Sequence, residues 1–319
     1  MEEIKKELII IGSGPAGIGA AIYAYRAGID FSITDKYVSG GQIINTEYIE
    51  NYPGFYQDVS GFELMDNMKK HLDKFEVSID EFCEITEVLQ NKFSKEKSLK
   101  SKGKNFICKS ENKIFYSVSV ILATGASPSK LGKEGEDALI GRGVSFCATC
   151  DAALYRDKTV AVVGGGNAAI EEAIFLTKFA KKVYIIHRRD ELRASKLIQE
   201  RAFANKKLEF LLSTEILKFS GSEKLEKLFL NNNKTNKTSE LSLDGVFEYV
   251  GLLPNTEAFK NLIDTDKNGF VITDENMAAS LKGIFAAGDV RKTPLRQVIT
   301  AVSDGALAAT SVEKYLAQR

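Results

Sequence analysis

The sequence has no tryptophan, and its 319 residues include only two histidines, four cysteines and five prolines. It also lacks an excess of charge of either sign, since 43 lysines and arginines balance 43 aspartates and glutamates. Without an excess of positive charge, nucleic acid is not expected as the main partner. Binding to a phosphate backbone depends on lysine and arginine side chains that neutralise the phosphates. Four cysteines are too few for a disulfide scaffold. Together with the two histidines they provide few candidate ligands for a metal centre, so no metal is expected.

Long hydrophobic runs are missing as well. No apolar stretch approaches the roughly 18 residues that a membrane helix needs, so no membrane partner is expected. The charged start, residues 1–7, has no basic segment, apolar core or cleavage site of a secretory signal. We therefore expect a cytoplasmic protein in a reducing compartment. The apolar content of 44% is that of an ordinary globular protein, and the length favours about two domains.

A glycine-rich turn follows the first apolar run, residues 8–11, which is typical of a buried parallel strand. The turn reads G-x-G-x-x-G and precedes a helical stretch. Gly12 permits a tight turn, Gly14 lets the backbone approach a pyrophosphate, and Gly17 allows the helix to pack closely on the strand. Asp35 lies 18 residues after Gly17 and is placed to accept hydrogen bonds from an adenosine ribose. The pattern predicts a dinucleotide-binding site.

A second strand–turn–helix pattern begins about 150 residues further on, which suggests a second, similar domain. Its turn reads G-G-G-N-A-A from Gly164, with Ala169 in place of a third glycine, a variant that the motif permits. The strand after it leads into H-R-R from His187, with Arg193 one turn later, instead of an acid. Two arginines can form bidentate, charge-assisted hydrogen bonds with a 2′-phosphate. The sequence therefore favours an NADP(H) site over the alternative, a basic and solvated helix start.

The four cysteines include one close pair. Cys147 and Cys150 form a C-x-x-C that is followed at once by Asp151. Structural zinc needs four ligands, and the remaining cysteines and histidines are scattered without suitable spacing, so a redox dithiol is favoured over zinc. Asp151 could exchange a proton with a thiolate if the turn folds inward. Alternatively, it is one of the acids common at helix N-termini.

These features together imply two cofactors. A nicotinamide carries a hydride, whereas a disulfide is reduced by thiolate chemistry, and a flavin can link the two because it accepts hydride and reacts with sulfur. Two dinucleotide turns and one C-x-x-C therefore predict FAD in one site and NADPH in the other.

The sequence resembles the low-molecular-weight, bacterial-type thioredoxin reductases of the class II pyridine nucleotide-disulfide oxidoreductases, and it does so over nearly the whole chain. The matching motifs, in order, are G-S-G-P-A-G from Gly12, G-G-Q from Gly40, E-N-Y-P-G from Glu50, A-T-G from Ala123, C-A-T-C-D from Cys147, G-G-G-N-A-A from Gly164, H-R-R-D-E-L-R from His187, G-x-x-P-N-T from Gly251, A-A-G-D-V from Ala286, and R-Q at Arg296.

The resemblance implies an α/β fold with two Rossmann-like, three-layer ββα domains. An NADPH domain carrying the C-x-x-C, residues 125–251, would be inserted into a discontinuous FAD domain, residues 1–124 and 252–319. The activity would be NADPH-dependent reduction of thioredoxin, the protein substrate, by a homodimer. The NADPH domain would rotate between steps, with hinges near Gly125 and Gly251.

The resemblance also implies residue roles. Cys150 would take electrons from the flavin, Cys147 would attack the thioredoxin disulfide, and Asp151 would be the acid–base group. FAD would contact Gly12, Gly14, Pro15, Ala16, Gly17, Asp35, Lys36, Gly40, Gly41, Gln42, Ile43, Asn51, Ala123, Gly125, Gly288, Asp289, Val290, Arg296, Gln297 and Val298. NADPH would contact Gly166, Asn167, Ala168, Ala169, His187, Arg188, Arg189 and Arg193.

Residues 91–112 are rich in lysine and serine, and this segment is long for the family. We interpret it as a solvated loop or hairpin tip, with a docking site for acidic partners as the alternative. Related flavoproteins are disfavoured. A peroxide-reducing component would carry a further N-terminal dithiol domain, a ferredoxin–NADP reductase would lack the C-x-x-C, and a ferredoxin-driven reductase would lack the arginines. A different class of protein, a nucleotide-sensing module with structural zinc, would be colourless, whereas a protein that binds flavin is yellow.

Overall fold

The structure is a computed structural model that describes residues 1–46, 49, 51–57, 59–91, 103 and 105–319. Residues 92–102 and 104 of the lysine-rich loop expected at residues 91–112 lie outside the described residues, as does Glu50. The loop prediction is wrong for Phe106–Lys109, which form a strand because their alternate apolar side chains are buried. The described chain divides into two compact units. The first comprises Met1–Ser127 and Leu253–Arg319, and the second comprises Pro128–Leu252.

Strands and helices alternate along much of the described chain. The strands are β1 (Glu2–Lys5), β2 (Leu8–Ile11), β3 (Phe31–Thr34), β4 (Ile79–Asp80), β5 (Glu87–Gln90), β6 (Phe106–Lys109), β7 (Lys113–Ser117), β8 (Ser119–Leu122), β9 (Ala126–Pro128), β10 (Val144–Ser145), β11 (Thr159–Val163), β12 (Lys182–Ile186), β13 (Leu208–Leu211), β14 (Thr214–Ser220), β15 (Lys227–Asn232), β16 (Lys237–Ser242), β17 (Gly245–Glu248), β18 (Leu252–Pro254) and β19 (Ile284–Ala286). The α-helices are α1 (Pro15–Arg26), α2 (Gly61–Asp73), α3 (Glu136–Leu139), α4 (Ala148–Asp151), α5 (Asn167–Leu176), α6 (Lys196–Phe203) and α7 (Val298–Ala317). Short 3-10 turns are Gly41–Asn45, Ala152–Tyr155, Glu257–Phe259 and Gly288–Val290.

The first unit is built on two sheets. Its parallel sheet has the strand order β19-β8-β2-β3-β4, and its second sheet has the order β1-β7-β6-β5. All four residues of β2 are buried, because a central parallel strand is covered on both faces, which explains its unbroken apolar run. One apolar core combines this sheet with α1, α2 and α7, and a second core includes Ile9, Phe106 and Phe115. The C-terminal helix α7 packs along α1.

The second unit repeats this plan on a smaller scale. Its parallel sheet has the order β10-β17-β11-β12-β13, and an antiparallel sheet has the order β14-β15-β16. Helices α4, α5 and α6 contribute to the core on one side of the parallel sheet, whereas the antiparallel strands share the core on the other side. Each unit therefore has the layered α/β arrangement expected of a Rossmann-like domain, and the predicted fold class is confirmed.

The chain passes between the units at two places, where β9 and β18 pair as a two-stranded ribbon. Gly125 and Gly251, the predicted hinges, stand beside these strands with φ values of +67° and +154°. The predicted domain boundaries, 124/125 and 251/252, stay predictions. Among the described residues, no helix is both long and apolar enough to span a membrane.

Candidate active site

The first glycine turn connects β2 to α1 and packs tightly against a neighbouring strand end. Gly12 has a φ of +102°, and a Cβ atom there would lie 2.3 Å from the carbonyl oxygen of Ala123. A Cβ atom on Gly17 would lie 1.8 Å from the carbonyl oxygen of Gly12. Gly14 is the N-cap of α1, and no side chain caps this helix. The turn therefore offers backbone N–H groups to a ligand, the arrangement that binds a pyrophosphate at a helix N-terminus.

Asp35 follows β3, and its carboxylate is joined to the glycine turn. Its Oδ2 accepts hydrogen bonds from the backbone N–H and the hydroxyl of Ser13, both at 2.7 Å. Its Oδ1 accepts one from the N–H of Tyr37 at 3.0 Å. Asp35 therefore helps to fix the turn, a role that the sequence did not indicate. Because each carboxylate oxygen can accept more than one hydrogen bond, binding of a ribose by Asp35 stays a prediction.

The G-G-Q segment lies next to the same turn. A Cβ atom on Gly14 would be 3.7 Å from the Cα of Gly41. Three of the predicted flavin contacts lie in the 3-10 turn Gly41–Asn45. Lys36, by contrast, forms an ion pair with Glu84 at 2.7 Å, and both side chains are about half exposed. The backbone of the G-G-Q segment is therefore close to the dinucleotide turn, whereas the Lys36 side chain is paired with Glu84.

The A-A-G-D-V segment packs against the first turn of α1. A Cβ atom on Gly288 would lie 2.9 Å from the Cβ of Ala16. The N–H of Gly288 donates to Oδ2 of Asp304 at 3.2 Å, and the same oxygen lies 3.1 Å from Nε of Arg291. The side chains of Arg291 and Asp304 are only 13% and 12% exposed. This buried ion pair, which the sequence did not reveal, secures the backbone of the Gly288–Val290 turn.

Other predicted flavin contacts meet near the start of α7. Nδ2 of Asn51 donates to Oε1 of Gln297 at 2.9 Å, although the two are far apart in sequence. The Arg296 guanidinium lies 4.1 Å from the centre of the Phe270 ring, and its Nε is a buried donor without a partner in the described chain. Burial raises the pKa of Asp289, and the charge of Arg296 opposes this shift. An uncapped glycine turn and a buried unsatisfied donor fit the phosphates and polar groups of FAD.

The second glycine turn connects β11 to α5 and rests on His187. A Cβ atom on Gly165 would lie 2.5 Å from Cε1 of the His187 ring. The ring is 4% exposed, and its Nε2 has no partner among the described residues. Burial lowers the pKa of His187, and the charges of Arg193 and Arg189 lower it further. We therefore expect a neutral imidazole that packs beneath the turn.

One of the three predicted arginines is hydrogen-bonded to this turn. Arg188, Arg189 and Arg193 are exposed, and the N–H of Arg193 donates to the carbonyl oxygen of Gly165 at 2.6 Å. Among the described ion pairs, none involves these three guanidinium groups. The remaining predicted NADPH contacts are Gly166, the N-cap of α5, and Asn167, Ala168 and Ala169 in its first turn. The donor set fits a dinucleotide with an additional phosphate.

Cys147 and Cys150 form a disulfide at the start of α4. The N–H of Cys150 donates to Sγ of Cys147 at 3.2 Å. The N–H of Cys147 donates to Oγ of Ser145 at 3.1 Å, and the N–H of Asp151 donates to the carbonyl oxygen of Cys147 at 3.3 Å. A thiolate on Cys147 would therefore find a backbone donor in place, and a donor stabilises the charged form.

The other two cysteines are free and buried. Burial raises the pKa of Cys108 to about 12, and burial also raises that of Cys83. Both thiols therefore stay protonated at neutral pH, which makes them poor nucleophiles. In the described part of the chain no group of three or more histidines, cysteines, aspartates or glutamates is placed to hold a metal ion.

Tyr249 is a site residue that sequence reasoning missed. Its Oη accepts the N–H of Ala148, the residue between Cys147 and Thr149, at 2.9 Å. Burial raises the pKa of Tyr249, and the negative charge of Glu172 adds to the shift. The two partners are 101 residues apart in sequence, so no local pattern could have indicated the contact.

Comparison with known proteins agrees with this geometry. The family model for pyridine nucleotide-disulphide oxidoreductases matches residues 6–305. The chain belongs to this family. A thioredoxin reductase of Bacillus subtilis is 42% identical over 316 residues, which are 99% of this chain and 95% of the relative. A "34.2 kDa protein in rubredoxin operon" of Clostridium pasteurianum is also 42% identical, over 99% of this chain and 98% of the relative. The crystal structure of Lactococcus lactis thioredoxin reductase is 39% identical and superposes with a TM-score of 0.92 over 98% of this chain and 100% of that one.

The chain is thus a pyridine nucleotide-disulphide oxidoreductase similar to bacterial thioredoxin reductases, and the resemblance inferred from its motifs is confirmed. The family's cofactors, FAD and NADPH, are those predicted from the two glycine turns and the cysteine pair. The Cys147–Cys150 disulfide agrees with the predicted oxidoreductase chemistry.

Proposed function

We propose that this oxidoreductase reduces thioredoxin with electrons from NADPH. The observation that carries the proposal is the Cys147–Cys150 disulfide, which lies in the same compact unit as the arginine-bearing nucleotide turn. We assign FAD to the first unit, because the Gly12–Gly17 turn and the Gly288–Val290 turn meet there. We assign NADPH to the second unit, where Arg193 is hydrogen-bonded to Gly165 and Arg188 and Arg189 follow His187, the residue that packs against this glycine.

The predicted site residues have distinct tasks in this proposal. The chemistry that a bound FAD would supply is the link between hydride transfer from NADPH and two-electron reduction of a disulfide. The glycine turns hold the pyrophosphates through backbone N–H groups. Arg188 and Arg189 bind the 2′-phosphate, which separates NADPH from NADH.

The cysteines carry out the exchange with the protein substrate. Two electrons and two protons convert the Cys147–Cys150 disulfide into two thiols. The Cys147 thiolate then attacks one sulfur of the thioredoxin disulfide, so that a mixed disulfide forms and one thioredoxin thiolate leaves. Cys150 attacks the mixed disulfide at Cys147, which releases the second thiolate and restores the internal disulfide. Asp151, next to Cys150 in sequence, supplies and removes the protons.

Three further elements of the proposal come from the family resemblance. The NADPH domain rotates between the flavin-reducing and disulfide-reducing steps, with Gly125 and Gly251 beside the two crossings of the chain. The protein functions as a homodimer, and it is located in the cytoplasm. A cross-link that locks the two units together should stop turnover, and undiminished turnover would contradict the rotation.

The principal test is kinetic. Purified protein should be yellow and should reduce thioredoxin with NADPH, and Cys147→Ser or Cys150→Ser should abolish this activity. Cys83→Ser is the matched control, because it replaces a buried free thiol in the other unit. Full thioredoxin reduction by either active-site variant would contradict the proposal. The proposal would also be contradicted if the protein reduced other disulfides but none of a panel of thioredoxins.

A further inference from the structure

The backbone of the C-x-x-C turn is held by two side chains from outside it. On one side, Oγ of Ser145 accepts the N–H of Cys147 at 3.1 Å. On the other, Oη of Tyr249 accepts the N–H of Ala148 at 2.9 Å. Ala148 is completely buried, so its N–H would lose a hydrogen bond that water cannot replace if the phenol were absent.

Tyr249 is brought to the turn by the end of β17. The strand runs to Glu248, and the N–H of Tyr249 donates to the carbonyl oxygen of Val163, the last residue of β11, at 2.8 Å. Its ring packs against the apolar core that also contains Ala148 and Ala152. The phenol therefore reaches the turn from a fixed strand of the parallel sheet, and its position does not depend on the turn itself.

The electrostatic surroundings keep the phenol protonated. Burial raises the pKa of Tyr249, and the carboxylates of Glu172 and Asp151 raise it further. A neutral phenol is at once an acceptor for the Ala148 N–H and a donor for a nearby acceptor. Tyr155 belongs to the same apolar core, and burial raises its pKa as well.

We propose that Tyr249 is a positioning residue for the Cys147–Cys150 couple, which fixes the turn through the Ala148 N–H and so keeps the Cys150 N–H directed at the Cys147 sulfur. This inference rests on the proposed redox role of the two cysteines. In the reduced protein the Cys150 N–H would favour the thiolate of Cys147, because a hydrogen bond to the charged form lowers a thiol pKa. A better stabilised thiolate also makes the reduced state more favourable and the disulfide more oxidising.

The direct test is Tyr249→Phe in the full-length holoprotein, which keeps the ring and removes the oxygen. In the reduced variant, we expect alkylation of Cys147 by iodoacetamide at pH 7 to slow by about three- to tenfold, with its pH profile displaced to higher pH. In glutathione redox buffers, the couple should shift towards the disulfide by a similar factor, and a tenfold shift corresponds to about 30 mV. Mass spectrometry of the trapped Cys147 peptide measures both quantities without relying on turnover.

Two further variants sharpen the test. Tyr155→Phe is the matched control, because it removes a phenol from the same apolar core and should leave both readouts unchanged. Ala148→Pro removes the same hydrogen bond from the donor side. Proline suits the first position of a helix, and the preceding Cys147 already has the extended backbone that proline requires, with φ −140° and ψ 98°. It should shift both readouts in the same direction as Tyr249→Phe.

The outcomes separate this inference from the proposed function. The inference is wrong if Tyr249→Phe or Ala148→Pro, folded by circular dichroism, keeps the wild-type alkylation profile and glutathione equilibrium. It is also wrong if Tyr155→Phe shifts them equally. If one of the two test variants does not fold, the other decides. A wild-type protein that reduces no thioredoxin contradicts the proposed function instead, whatever the variants do.

Discussion

Glu248, at the end of β17, buries its carboxyl group against that of Glu136 in α3. The two residues are 1% and 2% exposed. Glu136 accepts hydrogen bonds from the N–H groups of Leu131 and Lys133, both at 2.9 Å, which suits a carboxylate. Burial, followed by the charge of Glu136, raises the pKa of Glu248 to about 8. Glu248 therefore stays largely protonated at neutral pH.

Because the pKa of Glu248 is raised, we expect its contribution to the free energy of unfolding to fall as the pH rises. The folded pKa of Glu248 lies above its usual value of 4.5, so the folded protein binds the proton more tightly than the unfolded chain. The stabilisation is complete at low pH and is lost between about pH 4.5 and pH 8. Each tenfold difference in proton affinity is worth about 1.4 kcal/mol. Between about pH 5 and pH 8, the free energy of unfolding should fall on the order of 2–4 kcal/mol more for the wild type than for Glu248→Gln.

Denaturant unfolding of both proteins across this pH range measures the difference. Glu240→Gln is the matched control, because Glu240 lies exposed on β16 and pairs with Lys227 at 2.8 Å, so its removal should leave the pH dependence unchanged. Parallel pH curves for the wild type and Glu248→Gln would show that Glu248 is ionised in the folded protein and that this account of the pair is wrong.

The buried ion pair of Arg291 and Asp304 predicts a link between stability and flavin retention. Asp304→Asn leaves a buried guanidinium without its counter-charge, which typically costs about 3–5 kcal/mol. It also weakens the acceptor of the Gly288 N–H. We expect a lower midpoint of thermal unfolding and a lower flavin-to-protein absorbance ratio after purification. Asp190→Asn, which breaks an exposed pair with Lys234, should change neither. Full flavin content in Asp304→Asn would contradict the proposed role of the Gly288–Val290 turn.

The exposed arginines predict the nucleotide preference. Replacing Arg188 and Arg189 with alanine should raise the KM for NADPH by at least tenfold, because each charged hydrogen bond contributes about 1.5–3 kcal/mol, and should leave the KM for NADH nearly unchanged. Steady-state kinetics with both nucleotides measures this. Arg142→Ala, which removes an exposed arginine elsewhere in the same unit, is the control. An equal increase for both nucleotides would exclude a 2′-phosphate contact.

If Asp151 exchanges protons without binding substrate, its substitution should lower kcat and leave the KM values nearly unchanged. Asp151→Asn keeps the size of the side chain and removes its ability to exchange a proton, so kcat for thioredoxin reduction should fall about 10²–10⁴-fold. The KM values for NADPH and thioredoxin should change little. Asp151→Glu, which keeps a carboxyl group, should recover part of kcat, and this recovery would distinguish proton exchange from a structural effect. An unchanged kcat would assign the proton transfer to another group.

Local patterns were sufficient to predict the two nucleotide turns and the cysteine pair. Each of them depends on residues close together in sequence, such as Gly12 and Gly17, or Cys147 and Cys150. The apolar run of β2 likewise predicted a buried parallel strand. Asn51 and Gln297 were each named as flavin contacts through the family resemblance, but their hydrogen bond was not predicted, because nothing local joins two residues that are 246 positions apart.

Contacts between distant polar side chains could not be predicted. Tyr249 reaches Ala148 only because β17 lies beside β11 in the folded sheet. Glu248 would be expected at a surface from its charge alone. It is instead buried beside Glu136, a neighbour that no local pattern indicates. Asp35 was expected at a ribose but also joins Ser13, since a carboxylate in a turn accepts whichever N–H groups the backbone presents.

The discontinuity of the first unit has a consequence for biosynthesis. Helix α1 leaves the ribosome early, but its packing partner α7 and the Gly288–Val290 turn are translated only after the whole second unit. The second unit is one continuous segment, Pro128–Leu252, and can fold as soon as it emerges. Until α7 is translated, the apolar side chains of α1 that share a core with it lack this packing partner. The proposed flavin site draws on the Gly288–Val290 turn and the start of α7, so it is complete only when these last segments have been translated.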